Sequence, residues 1–558
     1  MNKNLKIFAL GGLCEIGKNC YIIEKENDII IVDCGIKFIN DPNFINLADG
    51  IIPDFSYLLK NKEKIKALFI THGHEDHVGA ISFLLDAIPF IPIYGSKFSI
   101  SLLKQKIKDK KEIKLNIFED DSIITTNEFK IFFFRVTHSI PGSFGLMIET
   151  NKDKTRIILT GDFKFDWSEI GEKTDLFKLA DWGKKGIDLL LSDSTNAEIE
   201  GSTPSESKVI KVLENIILEA EKRVIITSFS SNVYRLKKVI DIAKKSKRKI
   251  VLLGSSLLKM MKIINNASLW KIENSIFLKS SLIEKTPKNK LIIFCTGSQG
   301  EEKAVLSRLA HQIYPGWKIE KGDSVILTSS PIMDNDAKIR LINNKLFSSG
   351  VEIYENSKGF HENYKERVLL HSSGHACKSD LKLMLTLVNP KYFMPFHGDF
   401  RMLNNHSFLA EEIGIPNDRI FVFKNGEILE EEIEKNEKKF LKSKEKIIIE
   451  PKYIFEKKTI DNKNLQNCIE IKKKMSDSGI LMVVFYNKFK ENVIEKPYIF
   501  THGFINMKKN ENLINEWKKI IKDFMIKNNE LNLLEKFIEE KILKKWEKKP
   551  LIKIIYNK

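Results

Sequence analysis

His72, His74, Asp76 and His77 fall within six consecutive residues of the stretch FITHGHEDHVGA, Phe69 to Ala80. The chain holds 11 histidines in 558 residues, and three of them share this window, so a chance surface cluster is a poor explanation. Imidazole nitrogen and carboxylate oxygen are ligands that suit Zn²⁺ or Mn²⁺. In H-x-H-x-D-H, alternate residues of a tight loop can converge on a cation while the others face away. Three protein ligands and one open position already make a catalytic zinc site. The four in this loop exceed that need, and the excess points to two cations. Two ions ~3.5–4 Å apart clamp the attacking and leaving oxygens of an in-line displacement and make hydroxide available at neutral pH. Such a pair needs a bridging carboxylate. Asp162, a strand-end acid in LTGDFKFD, is the best candidate; a turn-capping aspartate is the plainer reading of it.

These ligands need elements that deliver them to one place. Residues 1 to about 200 alternate short apolar runs with turns. KIFALGG, YIIEKENDIIIVDCG, IKALFIT, IPIYG, FKIFFFRVTH, TRIILTGD and IDLLLSDS read as strands. Several end on a polar residue: Asp33, His72, His138, Asp162 and Asp193. Strands that bring polar groups to one edge are how α/β layers build a site. From about 205 the pattern changes to βα alternation. PSESKVIKVLENIILEAEK is an amphipathic helix with Ser205 as its cap, and RVIITSFS, KIVLLG and KLIIFCTGS are buried strands of a parallel sheet. Around DSVILTSSP and RVLLHSSGH the chain returns to the first kind of layer, and LKLMLTLVNPKYFMPFHGD gives a helix, a proline stop and a strand ending on His397. LEEEIEKNEKKFLKSKEK, about 429 to 446, is a charge run without apolar periodicity and reads as a solvated linker or exposed helix. The remainder reads as a small α+β domain.

Composition excludes some classes. No apolar run reaches the ~18 residues of a membrane span, so no membrane partner is expected. The N-terminal stretch MNKNLKIFALGGLCEIGKNC, broken by Gly, Glu and Lys, does not read as a signal peptide. The six cysteines are scattered, with no C-x-x-C pair, which fits free thiols and a cytoplasmic location. The net charge of +17 suits a polyanionic partner, although AT-rich coding would also give a Lys-rich chain. Glu431 to Lys558 holds 30 Lys+Arg against 20 Asp+Glu, so much of the surplus lies in the last 128 residues.

THGHEDHVGA, followed by a strand-end His, GD and a later His, is the pattern of the metallo-β-lactamase superfamily. GGLCEIGKN, VDCGIKF, IPDFSYL, VTHSIPGSFG, LTGDFKFD, SDSTNAE, TSFSSNVYRL, TGSQGE, LHSSGHA and KYFMPFHGD, in this order from about residue 5 to 425, together resemble bacterial ribonuclease J, in the β-CASP nuclease branch. KKWEKKPLIKIIYNK resembles that family's C-terminal domain more weakly. The resemblance implies an α/β fold: a metallo-β-lactamase αββα sandwich (about 1–205 and 361–428), an inserted β-CASP α/β domain (206–360), a linker (429–450) and a small α+β C-terminal domain (451–558).

The resemblance also implies roles. His72, His74 and His138 would hold one metal, Asp76, His77 and His397 the other, and Asp162 would bridge. The ions would be Zn²⁺ first, with Mn²⁺ or Mg²⁺ as alternatives. The family cleaves RNA internally and from the 5′ end in the 5′→3′ direction, in RNA maturation and mRNA decay, and the RNA would run between sandwich and insert. His375 would protonate the leaving 3′-oxygen and Asp193 would orient it; this suits imidazole, whose pKa lies nearest the task. Ser231, His371, Ser373 and Gly374 would grip a 5′-terminal monophosphate, with His375 beside them. The two serines also read as a cap of the following helix, and a helix N-terminus is itself an anion site. TGSQGE lacks the G-K-[ST] of a phosphate loop and reads first as a strand-to-helix turn. Asp33 and His361 read as supporting groups, not ligands. A homodimer or homotetramer, with RNA-degradation partners, is also implied.

Three departures stand out. Cys14 occupies a position where the family usually has Gly, Ser255 stands where an Arg is usual, and SSPIMDNDA differs from the usual SSPIPGNE. Two other readings compete: a small-substrate hydrolase, such as a lactonase or thioester hydrolase, on the same scaffold, and a non-catalytic RNA-binding or scaffold subunit. The first needs neither LHSSGHA nor a basic C-terminal domain. The second predicts lost ligands, and every ligand position here is filled.

Overall fold

The computed structural model describes residues 4–39, 44, 47–107, 110, 113–330, 335–356, 368–434, 437–456, 458–486, 497–507, 509–528, 531–546 and 550–557. His361 and residues 331–334 of SSPIMDNDA lie outside the described residues. Two compact units emerge: residues 1–37 with 52–451, and residues 38–51 with 452–558.

Two sheets stack face to face in the first unit. One has eight strands, in the order Glu437–Lys446, Glu427–Glu434, Lys6–Gly11, Cys20–Lys25, Asp28–Val32, Ile65–Phe69, Ile93–Gly95 and Leu115–Ile117. The other has six: Ile123–Thr125, Phe129–Arg135, Phe144–Thr150, Arg156–Leu159, Ile187–Asp193 and Pro390–Phe396. Ile30, Val32 and Phe69 from the first meet Phe133, Leu146, Leu159, Leu191 and Phe396 from the second in one continuous core. Each such side chain, fully buried, contributes about 1.5–3 kcal/mol. Helices Leu176–Lys185, Lys378–Val388 and Phe400–Glu412 add residues to a second core, with Ile158, Leu190 and Phe393, on the outer face of the six-stranded sheet. The parallel strands read as unbroken apolar runs because both of their faces are covered. Parallel pairing of Asp28–Val32 with Ile65–Phe69, and of Arg156–Leu159, Ile187–Asp193 and Pro390–Phe396 with one another, sends these strands' C-terminal ends to a common edge.

The insert is a five-stranded parallel sheet ordered Lys249–Leu253, Leu291–Cys295, Val224–Thr227, Ser324–Leu327 and Glu352–Tyr354. DSVILTSSP therefore belongs to the insert and does not mark the return to the sandwich. Ile326 pairs in parallel with Ile226 inside this sheet, a long-range choice that a lone apolar run cannot declare. Helix Glu206–Glu219 starts on Ser205, whose Oγ accepts from the Ser207 N–H at 3.2 Å.

The charge run is not a linker or a helix. Glu427–Glu434 and Glu437–Lys446 form an antiparallel hairpin at the edge of the eight-stranded sheet. Its acidic arm lies against its basic arm: Glu432 is opposite Lys439, and Lys442 reaches Glu427 at 2.5 Å. Opposite charges across a ladder support the pairing, and Leu429 and Phe440 supply the buried side. Cys14 has φ +56°, the left-handed region where glycine is at ease, so a physical reason exists for glycine at this position. Its Sγ donates to the Phe423 carbonyl at 3.5 Å. Ser255 is exposed at the start of helix Ser255–Ala267.

The second unit carries the expected α+β arrangement. Strands Tyr498–His502, Ile480–Tyr486 and Leu551–Asn557 form its three-stranded sheet, with helices Asn462–Ser478, Glu511–Asn528 and Leu531–Trp546. It also recruits the segment 38–51, which the sequence put in the sandwich: Phe44 stacks on Tyr453, and the Asp49 N–H donates to the Ile454 carbonyl at 2.7 Å.

Candidate metal centre

The loop 70–80 leaves the strand Ile65–Phe69 at the common edge and turns at once into the short helix Glu75–Val78. His74, in extended backbone, is the helix cap, with His72 two residues before it and Asp76 and His77 in the first helical turn. The turn is held from below. The Asn19 N–H and Nδ2 both donate to the Asp76 carbonyl, at 3.0 and 3.1 Å. A Cβ on Gly35 would lie 1.5 Å from that same carbonyl oxygen. Gly35→Ala should therefore cost about 3 kcal/mol or more through overpacking and lower metal content as well, read by urea unfolding and elemental analysis. Retention of both would mean that the turn tolerates displacement.

The predicted ligands converge in two overlapping groups. His74 Nδ1 lies 3.1 Å from His72 Nε2 and 3.0 Å from His138 Nε2. On the other side His77 Nε2 is 3.5 Å from Asp76 Oδ2, and His397 Nε2 is 3.2 Å from the same oxygen. Asp162 belongs to both groups: its Oδ2 is 3.6 Å from His72 Nε2 and 3.2 Å from His77 Nε2. A third group joins Asp162, Asp193, His375 and His397.

Hydrogen bonds on the far ring nitrogens assign the tautomers. His77 Nδ1 meets Asp33 Oδ2 at 2.7 Å, and His138 Nδ1 meets the Gly374 carbonyl at 2.8 Å. His72 Nδ1 rests 3.1 Å from Thr71 Oγ1, which itself donates to Asp33. His397 Nδ1 is shared between Thr195 Oγ1 at 2.9 Å and Asp193 Oδ1 at 3.2 Å. Each of these rings thus turns its Nε2 to the cluster.

This chemistry fits divalent cations. Three imidazole nitrogens facing one another at about hydrogen-bond distance cannot all be satisfied by protons. Asp162 Oδ1 is buried and has no hydrogen-bond partner. Burial, with the neighbouring imidazoles, holds His72 and His138 well below the usual range, and His74 is lowered to about 4 mainly by burial. Burial also disfavours charge on His77 and His397. There the carboxylates win, Asp162 foremost, raising His77 well above its ordinary value and His397 to about 10. Protons drawn onto two potential ligands mark a surplus of negative charge, and cations would occupy that place.

His375 stands beside the cluster and is more open, its side chain 20 % exposed against 1 % for Asp162. Its Nδ1 lies 2.8 Å from Asp193 Oδ2. Asp193 in turn accepts from the Thr195 N–H and Oγ at 3.0 and 2.7 Å. Burial opposes the charge on His375, but Asp193 and then Asp162 raise its pKa.

The four residues expected at a phosphate pocket are arranged less uniformly. A small depression beside His138 is lined by Lys164, Asp166, Glu206, Asn232, Ser372 and Ser373, among others. Ser373 faces it while its Oγ accepts from Asn196 Nδ2 at 2.9 Å and the His375 N–H at 3.2 Å. Ser231 adjoins the lining residue Asn232. His371 Nδ1 is buried without a partner, and burial, then Arg235, lowers its pKa to about 3. Gly374 serves His138 through its carbonyl, and a Cβ there would come within 2.5 Å of that ring.

Sequence reasoning passed over Thr71, Thr195, Asn19, Gly35 and Lys164. The signal for Lys164 lay in DFKFD itself: Phe163 and Phe165 join the outer core, so Asp162, Lys164 and Asp166 alternate onto the other side.

Family models match along the chain: metallo-β-lactamase superfamily at 15–194, ribonuclease J β-CASP domain at 221–346, Zn-dependent metallo-hydrolase RNA specificity domain at 365–420, and ribonuclease J C-terminal domain at 467–556. Ribonuclease J of Mycoplasma pneumoniae is 36 % identical over 541 residues, covering 96 % of this chain and 92 % of its own. The chain belongs to the ribonuclease J family. Ribonuclease J2 of Bacillus subtilis is 32 % identical over 542 residues, with 96 % of this chain and 93 % of its own covered. A crystal structure of a protein of unknown function from Enterococcus faecalis superposes with a TM-score of 0.53 at 17 % identity, over 76 % of this chain and all of that one, and shares the fold. The fold is accordingly the metallo-β-lactamase sandwich with a β-CASP insert and a ribonuclease J C-terminal domain. No helix among the described residues is long and apolar enough to cross a membrane.

Proposed function

We propose that this chain hydrolyses RNA phosphodiesters with two divalent cations, both from a 5′-monophosphorylated end in the 5′→3′ direction and internally. As a member of the ribonuclease J family it is a metal-dependent, RNA-hydrolysing enzyme; the rest of this reading concerns how. The observation that carries it is the sharing of Asp162 between the two ligand groups, with His375 and Asp193 closing a third group on the same carboxylate. His72, His74 and His138 would hold one cation, Asp76, His77 and His397 the second, with Asp162 between. Zn²⁺ suits a set rich in imidazole, and Mn²⁺ or Mg²⁺ is the alternative. Cations held there would lower the pKa of a bound water and offset phosphate charge. His375, aligned by Asp193, gives its proton to the leaving 3′-oxygen. Ser231, His371, Ser373 and Gly374 belong to the 5′-end pocket, and the insert of about 206–360 forms the second wall of the RNA path. A cytoplasmic homodimer or homotetramer, acting in RNA maturation and mRNA decay, completes the reading.

The test is one RNA carrying a 5′-monophosphate or a 5′-triphosphate, incubated with purified protein and Mn²⁺ or Mg²⁺ plus Zn²⁺. Mononucleotides released from the monophosphate RNA alone, and lost in His74→Ala, are expected. Internal fragments from both RNAs would leave a chiefly endonucleolytic enzyme. Absence of cleavage with metal bound would move the scaffold-subunit and small-substrate-hydrolase readings ahead.

A further inference from the structure

We propose that Lys164 is the cation that recognises the 5′-terminal monophosphate, and so sets the preference for that end group. This rests on the reading of the depression beside His138 as the 5′-end pocket. A monophosphate carries up to two negative charges, and hydroxyls and amides alone do not balance them. Lys164 is the one lysine or arginine among the described residues that line the depression, where the carboxylates of Asp166 and Glu206 also stand. His371, its pKa lowered to about 3 by burial and then Arg235, brings no charge to the unliganded site. Arg235 is itself spent, its Nε and Nη2 reaching the two Glu206 oxygens at 2.7 and 2.8 Å. Lys164 is 4 % exposed, yet its Nζ has Ser372 Oγ at 2.9 Å and Asp166 Oδ2 only at 3.4 Å. Asp166 is largely committed elsewhere, accepting from Ser205 Oγ at 2.7 Å, the Glu206 N–H at 2.8 Å and the Ser168 N–H at 3.0 Å.

The backbone at Lys164 is fixed. Its N–H donates to the Thr137 carbonyl at 2.8 Å, and its carbonyl accepts from Thr174 Oγ1 at 3.0 Å. The same segment carries Asp162 two residues earlier, so the end-group cation and the metal cluster keep a set spacing. A set spacing of this kind would favour release of nucleotides one at a time. A charge-assisted contact to phosphate is strong enough to discriminate end groups by about 10- to 100-fold.

The experiment compares degradation of one RNA with a 5′-monophosphate or a 5′-hydroxyl by the wild-type enzyme, Lys164→Met and Lys164→Arg, with metal content and far-UV circular dichroism measured in parallel. Wild type should prefer the monophosphate. Lys164→Met should lose that preference by at least about tenfold, chiefly through a raised KM for the monophosphate RNA, and Lys164→Arg should recover part of it. A preference kept in Lys164→Met, or an equal fall on both RNAs, would overturn the assignment and leave Lys164 a prop for Ser372. A wild type with no preference would instead overturn the pocket reading itself.

Discussion

Asp162→Asn should reduce RNA hydrolysis by about 10³-fold or more, roughly 4 kcal/mol of transition-state stabilisation, and should lower the bound divalent metal below the wild-type content. The carboxylate is the one side chain common to all three ligand groups. Its oxygens lie within 3.9 Å of nitrogens on His72, His77, His138, His375 and His397. An amide of the same shape keeps the packing but offers no charge, and its NH₂ would face imidazole nitrogens that already need a cation. The effect should therefore appear in metal stoichiometry and in single-turnover rate together. Elemental analysis after gel filtration and a rapid-quench assay at saturating enzyme measure the two. Wild-type metal content with activity within tenfold would remove Asp162 from the bridging position. His74→Ala offers the contrast, because His74 belongs to only one group, so the other cation should persist.

The candidate centre was legible because most of the residues proposed as its ligands are local in sequence or sit at strand ends. HGHEDH needs no long-range information to place four of them on one loop, and an apolar run ending in His or Asp announces a sheet edge. The supporting groups were less visible. Thr71 and Thr195 are ordinary hydroxyls until Asp33 and Asp193 are seen to need them, and Gly35 acquires meaning only from the Asp76 carbonyl against it. The hairpin Glu427–Lys446 was hidden because its pairing is between charges of opposite sign on two arms, which a window-based reading scores as solvated. The segment 38–51 packs with residues more than 400 positions away, a contact that no local pattern encodes.

His375→Ala should lower the chemical rate by about 10²- to 10⁴-fold, the span of general acid catalysis, while both cations remain bound. This separates it from changes at Asp162 and also at Asp193. Asp193 supports His375 through Oδ2 and His397 through Oδ1, so Asp193→Asn should weaken metal binding by about 10- to 100-fold as well as slow the reaction. His375 otherwise meets the cluster through a 3.9 Å approach to Asp162 and ring contacts with His138 and His397, and its partial exposure would let the other ring nitrogen face substrate. If its task is to protonate the leaving 3′-oxygen, the need disappears when that oxygen is sulfur, which departs readily as a thiolate. An RNA with a single bridging 3′-phosphorothiolate should then be cleaved by His375→Ala within about tenfold of the wild-type rate, even though the ordinary RNA is not. An equal deficit on both substrates would assign His375 to binding or to support of His397, and proton delivery would have to come from elsewhere.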